Sequence, residues 1–258
     1  MRLLFMVPPV ITEFETRVMA PVFAEPGLEI VGAVIDSREP KSGRRRVMEE
    51  LKRGRGGYVL VMIANRLRER GLEAPPEPAP AYFERRGVPI HLTPKLYAPE
   101  TLEWIRARRP DVIYRSGFGI IREPLLSMAP QGVLSYHHGN IRKYRGQPVA
   151  FWELYHGERE LGVTVQALNE GLDSGKIVTE ITVPIEPNDS WRSLYRRAYA
   201  VSDGLLLEAC RRLSTQGFSP LEVPEAELGR LYTSPNFRQW LMLHFKVAGR
   251  KLRRLVRL

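Results

Sequence analysis

Two short stretches, Ser135-Tyr136-His137-His138-Gly139-Asn140 and Gly171-Leu172-Asp173-Ser174-Gly175, bring together side chains able to move protons and stabilise charge. The first ends a short apolar run, Gly132–Tyr136, so its polar groups stand where a buried strand leaves the core. Open α/β sheets carry their chemistry at such strand ends. The second sets one carboxylate between glycines, in a loop whose backbone can approach a ligand closely. His137 and Asp173 are therefore the candidate acid–base pair. The adjacent histidines also suggest a metal, but neighbours on a strand point to opposite faces and no third ligand follows at a helical spacing, so no metal site is expected. Arg142, Lys143, Tyr144, Arg145 and Gln147 follow at once and read either as a solvated basic loop or as recognition of phosphate or carboxylate on a substrate.

The elements that must position these groups alternate. Residues 2–7 and Leu28–Ile35 are compact apolar runs around a helical segment from about Thr12 to Ala24, the opening of a parallel α/β sheet. The first turn, Val7-Pro8-Pro9-Val10, lacks the glycine pattern that cradles a pyrophosphate, which argues against a dinucleotide there. Lys41–Arg46 reads as a basic break, Val47–Arg53 and Tyr58–Arg70 as helices, and Gly71–Pro80 as an exposed connector. Leu60, Ile63, Ala64 and Leu67 fall at helical spacing, fitting either a helix on the sheet or a cap over the site. Val88–Leu92 and Asp111–Tyr114 read as strands around a helix at Ala98–Arg108. Arg115–Arg122 then sets Phe118 and Gly119 before Ile120 and Ile121, either a tight turn or a flat apolar surface for a ring. Pro148 marks the first turn of a helix at Gln147–Tyr155, Gly162–Leu168 and Ile177–Ile185 are strands, and Ser190–Leu213 is one long helix capped by Ser190.

Charge is unevenly placed. Of a net +10, residues 235–258 contribute seven basic side chains and no acidic one, leaving +3 for the rest. The excess belongs to a final helix opened by Ser234-Pro235, with Leu241, Phe245, Ala248, Leu252 and Leu255 on one stripe and basic residues nearly opposite. Three roles fit it: a seat on an anionic membrane or partner, packing against its own domain or a second copy, or contact with RNA. The N-terminus is too short and too soon broken by proline for a signal peptide, and the single cysteine, Cys210, excludes a disulfide framework. A cytoplasmic protein, peripheral at the membrane if the tail binds there, is the expectation. Cys210 itself, His91 and His156 read as structural.

Together these residues resemble the formyltransferase family that uses 10-formyltetrahydrofolate, which includes methionyl-tRNA, glycinamide ribonucleotide and sugar-nucleotide N-formyltransferases. The resemblance rests on Ser135-Tyr136-His137, Lys143-Tyr144-Arg145-Gly146, Gly162-Val163-Thr164 and Gly171–Gly175, and covers about residues 1–215. It implies a Rossmann-like α/β formyltransferase fold, with a mixed, mostly parallel sheet flanked by helices over residues 1–217 and a short helical extension over 218–258. It makes His137 the catalytic imidazole and Asp173 its carboxylate. It assigns Phe118, Gly119, Ile120 and Ile121 to one wall of the folate site and Leu168, Asn169, Glu170 and Gly171 to the other.

The family carries asparagine where this chain has Ser135, and its amide is held to polarise the formyl oxygen. Either His138 or Asn140 supplies the missing donor, or catalysis is weakened. The expected reaction moves a formyl group from 10-formyltetrahydrofolate to a primary amine on an amino sugar or other small metabolite. Methionyl-tRNA formyltransferases add a C-terminal β-barrel that the residues after Gly217 are too few to build, although a basic tail leaves tRNA open as the acceptor. A hydrolase of the same folate and a non-catalytic folate or nucleotide binder are the rival readings.

Overall fold

The structure, a computed structural model, describes residues 1–39, 42–52, 59 and 75–255. The expected helix at Tyr58–Arg70, and any cap it forms, lies outside the described residues save Val59. In chain order the elements are β1 (Arg2–Val7), β2 (Val10–Ile11), α1 (Glu13–Phe23), β3 (Glu29–Asp36), α2 (Gly43–Lys52), β4 (Glu77–Pro78), α3 (Ala79–Glu84), β5 (Ile90–Thr93), α4 (Pro99–Ala107), β6 (Val112–Arg115) and β7 (Val133–His137). There follow β8 (Tyr144–Gly146), α5 (Phe151–His156), β9 (Glu160–Ala167), β10 (Lys176–Pro184), α6 (Trp191–Ala200), α7 (Leu205–Ser214), β11 (Arg230–Tyr232) and α8 (Phe237–Leu255).

Among the described residues the main sheet has seven strands in the order β10-β9-β7-β6-β1-β3-β5. The run from β7 to β5 is parallel, while β9 and β10 are antiparallel additions. Period-two alternation divides β1 between two cores: Leu3, Phe5 and Val7 join the larger cluster with α1, α3 and α7, and Leu4 and Met6 join a second with Ile105 of α4. Cys210 is buried in the larger cluster on α7, and burial pushes its thiol up to about 12.

Several boundaries depart from the sequence reading. The break expected at Lys41–Arg46 is overtaken by α2, which starts at Gly43. The connector expected through Pro80 instead contains β4, paired with β2, and then α3, where Pro80 is tolerated in the first turn and Tyr82 and Phe83 are fully buried. Helix α5 begins at Phe151 because Ala150 is left-handed, leaving Pro148 in the loop before it. The long helix expected at Ser190–Leu213 is two. Its interruption, Val201–Gly204, contains the poor helix former Gly204, and the Tyr136 hydroxyl donates to Ser202 O there (2.7 Å). Ser190 caps α6 as expected, accepting from Ser193 N at 3.1 Å.

Residues 218–247 are tied to the rest of the chain. Leu221 exchanges both backbone hydrogen bonds with Ile177, and β11 pairs in parallel with β8. Leu243 of α8 is 1% exposed in the main core. Of the roles left open for the α8 stripe, packing on the described part of its own domain is not the one seen: Trp240, Leu243 and Val247 pack inward, whereas Leu241, Phe245 and Ala248 are exposed.

Candidate active site

Strand register builds the site. Ser135 of β7 pairs with Gln166 of β9, and the β6–β7 register of Ile113 with Val133 and Tyr114 with Leu134 carries Arg115 next to Ser135. Arg115, Ser135 and Gln166 thus form a row across three strands. His137 lies two residues further along β7, on the same face. All stand at the carboxyl ends of the parallel strands, where such sheets place their ligands. A cavity of about 1020 Å³ opens there, its wall including Arg115, Ser116, Ser135, His137, Gly146 and Asp173.

His137 is 7% exposed and held at both ring nitrogens. Nε2 donates to the Tyr144 carbonyl at 2.9 Å, and Nδ1 faces Asp173 Oδ2 at 3.5 Å. Because a carbonyl only accepts, the neutral ring must carry its proton on Nε2 and turn a lone pair towards the carboxylate. One further proton shared between Nδ1 and Asp173 satisfies both, so the pair is arranged to take up a proton. Gly139 abuts the Nε2 end of the ring: a Cβ there would come within 2.5 Å of Nε2, so any larger residue displaces the imidazole.

Asp173 sits in the left-handed region (φ 48°), which aspartate tolerates better than most residues. Its carboxylate accepts from Gly146 N at 2.8 Å and from Gln166 Nε2 at 3.4 Å, while Gln166 Oε1 accepts from Gly175 N at 2.9 Å. Gln166 therefore clamps both ends of the Asp173 loop. Gly146 has φ 89°, and a Cβ would come within 2.0 Å of Tyr232 O, so glycine alone fits between the carboxylate and β11.

Arg115 occupies the position beside Ser135. Its Nη1 donates to Ser135 Oγ at 3.2 Å, Nε to Gly117 O at 2.6 Å, and Nη2 to Gly119 O. Burial lowers the guanidinium pKa from its ordinary value, against which the Asp173 charge acts to raise it. Three of five donors are used, leaving hydrogens on both terminal nitrogens.

His138 points the other way from His137, as alternation requires, and joins the cavity wall on the α6 side. Ser202 Oγ donates to Ala198 O, so its oxygen accepts from His138 Nε2 at 3.0 Å. The ring stacks on Tyr199 with centroids 4.1 Å apart. Burial, then the neighbouring His137, pushes it down to about 3, which keeps it neutral. Asn140 turns back on its own loop, with Oδ1 accepting from Arg142 N at 3.0 Å, and is not part of the cavity wall.

The basic loop is a brace. Arg142 pairs with Glu180, Lys143 with Glu158, and Arg145 Nε donates to Gly229 O. The Tyr144 hydroxyl donates to Glu158 Oε1 and meets His156 Nδ1, both at 3.0 Å. Of the five loop residues proposed from sequence to meet an acceptor, only Gln147 has a place on the cavity. The loop's backbone serves instead, through Tyr144 O and Gly146 N.

Phe118, Ile121 and Leu168 meet in the second apolar cluster, whereas Ile120 is exposed. Phe118 and Gly119 are both left-handed, and Arg115 fixes the carbonyls on either side of Phe118. Asn169 Oδ1 accepts from Gly171 N and Ser174 Oγ at 3.0 Å each, shaping the opposing loop, where Glu170 is exposed. The far wall of the cavity was not foreseen. It comprises Glu13 and Arg17 of α1, Tyr195, Arg196 and Tyr199 of α6, and Tyr232 to Ser234 after β11. The Tyr195–Tyr199 pair at helical i,i+4 spacing was the available signal for α6.

Known proteins of this shape include an N-formyltransferase from Helicobacter canadensis solved with folinic acid and dTDP-3-aminofucose. The match has a TM-score of 0.60 and 12% identity, and covers 95% of this chain and 79% of that one. Glycinamide ribonucleotide transformylase 1 from Symbiobacterium toebii matches with a TM-score of 0.57 and 17% identity over 86% of this chain and 94% of that one. In sequence, a methionyl-tRNA formyltransferase from Trichlorobacter lovleyi is 36% identical over 164 residues, 63% of this chain and 51% of the relative. One from Anaeromyxobacter dehalogenans is 32% identical over 69% of this chain and 59% of the relative. The chain spans about half the length of such curated relatives. The profile described as formyl transferase matches residues 32–210, a span that holds the His137–Asp173 pair and the strands that carry it, and this chain belongs to that family.

Proposed function

We propose that this protein transfers a formyl group from 10-formyltetrahydrofolate to a primary amine on an amino sugar or similar small metabolite. The observation that carries the proposal is the His137–Asp173 pair, pinned by Tyr144 O and Gly146 N, beside the Arg115–Ser135 contact in one cavity. The folate supplies an activated formyl carbon. Phe118 and Leu168, packed over the buried Ile121, offer apolar surface for its ring, and Ser116 Oγ, buried in the wall, has no hydrogen-bond partner among the described residues and so is left for a ligand.

In this reading the amine nitrogen bonds to the formyl carbon, the bond from that carbon to the folate nitrogen breaks, and one proton passes from amine to folate. His137 and Asp173 take that proton up and return it. Ser135 Oγ and the spare hydrogens of Arg115 face the negative charge that develops on the formyl oxygen. Tyr195, exposed and stacked on Tyr199, offers a flat face for a sugar, and the wall carries both carboxylates (Glu13, Glu15) and guanidinium groups (Arg17, Arg196) for polar groups of the acceptor. A second reading, charged tRNA as acceptor, draws on the names of the sequence relatives and on the basic residues after 235.

Incubation with labelled 10-formyltetrahydrofolate and a pool of amino-sugar nucleotides, aminoglycosides and charged tRNA tests both. A formyl mass on an amino sugar is expected. Formate release independent of any amine, or turnover unchanged in His137→Ala, would overturn the transferase reading, and a formyl mass on tRNA alone would replace the acceptor.

A further inference from the structure

Helix α8 has two faces with different partners. On the inner face Leu243 is buried, Trp240 and Val247 pack on the core, and Lys246 Nζ donates to Tyr155 O at 2.6 Å while lying over the Tyr155 ring. These contacts fix the rotation of the helix. The outer face is apolar: Phe237, Leu241, Met242 and Phe245 are exposed, Phe245 at 64%, and Ala248 continues the row. Residues 237, 241, 245 and 248 follow one another along a single side of a helix. In sequence the row runs on to Leu252 and Leu255, and residues 235–258 carry seven basic and no acidic side chains.

We propose that α8 seats the protein on an anionic lipid surface, with Leu241, Met242 and Phe245 entering the headgroup boundary beside the exposed Arg238, and the net positive charge of residues 235–258 drawing the helix to the headgroups. A hydrophobic face combined with a basic helix is the pattern of interfacial binding. Among the described residues the protein's own domain is not the occupant, because the apolar row is turned away from it. A second copy would cover the apolar row but leave the basic residues, none of them matched by a carboxylate between 235 and 258, unneutralised. RNA is a poorer fit because the row that projects furthest is aliphatic and phenyl rather than basic. Anionic lipid satisfies both the apolar row and the net charge of the segment.

The seat also orients the cavity. Thr233 and Ser234 are in its wall, and Phe237 begins α8 three residues after Ser234, a reach of at most about 11 Å of chain. A helix lying on lipid therefore holds the cavity close to the surface. Among the described residues no helix is long and apolar enough to cross a membrane, so the attachment is peripheral at this helix.

Flotation of the full chain with vesicles tests the proposal without reference to catalysis. Binding to vesicles of phosphatidylglycerol and phosphatidylcholine is expected, with little binding to phosphatidylcholine alone and weakening in molar salt. The double substitution Leu241→Asp with Phe245→Asp should lower partitioning by about tenfold or more, since both side chains are exposed and leave the fold, followed by circular dichroism, intact. Arg253→Glu with Arg254→Glu should weaken the same binding through charge alone, and it serves as the test if the first variant misfolds. Absence of binding to anionic vesicles overturns the proposal. So does equal binding by folded variants, a dimer in gel filtration that Leu241→Asp with Phe245→Asp dissociates in a protein that does not float, or binding of RNA without binding of lipid.

Discussion

Arg115 Nη1 lies 3.2 Å from Ser135 Oγ, a contact that joins neighbouring parallel strands at the point where their carboxyl ends open into the cavity. A serine hydroxyl is short and free to rotate, so by itself it is a poorly directed donor. With Arg115 donating to its oxygen, the hydroxyl hydrogen, held only by a long 3.4 Å contact to Tyr136 O, can turn towards a ligand, and the guanidinium adds positive charge behind it. Neither His138 nor Asn140 has a comparable position: the first is neutral and bonded to Ser202, and the second bonds its own loop.

If Arg115 supplies the charge, Arg115→Met lowers kcat by about 10²–10³-fold with little change in KM for the amine. Ser135→Ala, which keeps the cation, should lower kcat by roughly tenfold, the worth of one ordinary hydrogen bond. Arg115→Lys separates charge from bracing, because an ammonium cannot fork across Gly117 O, Gly119 O and Ser135 together. Single-turnover kinetics on the three variants decide the matter, and an unchanged kcat in Arg115→Met would reduce the arginine to a brace for the 117–119 loop.

Gln166 is a positioning residue, acting through Asp173. It is 1% exposed and bridges the carboxylate to Gly175 N. Gln166→Glu keeps the bond from Gly175 but puts a second negative charge beside Asp173. That charge favours protonation of the pair, so the acid limb of the pH–rate profile should move to higher pH. Gln166→Leu should cost about 1–3 kcal/mol of stability, because Gly175 N loses its buried partner, with a smaller displacement of the limb, since it removes one long hydrogen bond but adds no charge. Measured profiles that superimpose for Glu and Leu would mean that Gln166 only supports the fold.

What could be read without coordinates was whatever local periodicity carries. Leu3, Phe5 and Val7 alternate with Leu4 and Met6, and that pattern alone announces a strand buried on both faces. His137 and Asp173 stand in two short motifs, each legible by itself. Arg115 and Gln166 were missed because their meaning lies in register: which residue of β6 or β9 lies beside Ser135 depends on pairing between segments far apart in the chain. The same reason hid Tyr232, which reaches the cavity only because β11 joins β8. The loop at Arg142–Arg145 was read by charge, and its charges turned out to be partnered by Glu180 and Glu158, residues that local sequence does not mark as near. The stripe on α8 was legible as a stripe, but which way it faces was decided by Leu243 and Trp240 packing from the other side.

Glu153 gives the fold a pH dependence separate from that of the site. It lies on α5, 3% exposed, and burial, with a smaller effect from Glu158, pushes its carboxyl up to about 7 from an ordinary value of 4.5. Between those values the folded chain holds a proton that the unfolded chain has released, so stability falls as pH rises through this window and levels off above it. The contribution is fully present below about pH 4.5 and lost above about pH 7. Glu153→Gln keeps the shape and removes the ionisation, so it should match the parent near pH 4 and be the more stable protein at pH 8. The gap is at most about 3 kcal/mol. For a domain of this size each kcal/mol moves Tm by roughly 2–4 °C. Thermal unfolding at a series of pH values reads the difference directly: the two curves of Tm against pH should diverge between pH 4.5 and 7, and curves that stay parallel would mean that Glu153 is already ionised in the folded protein.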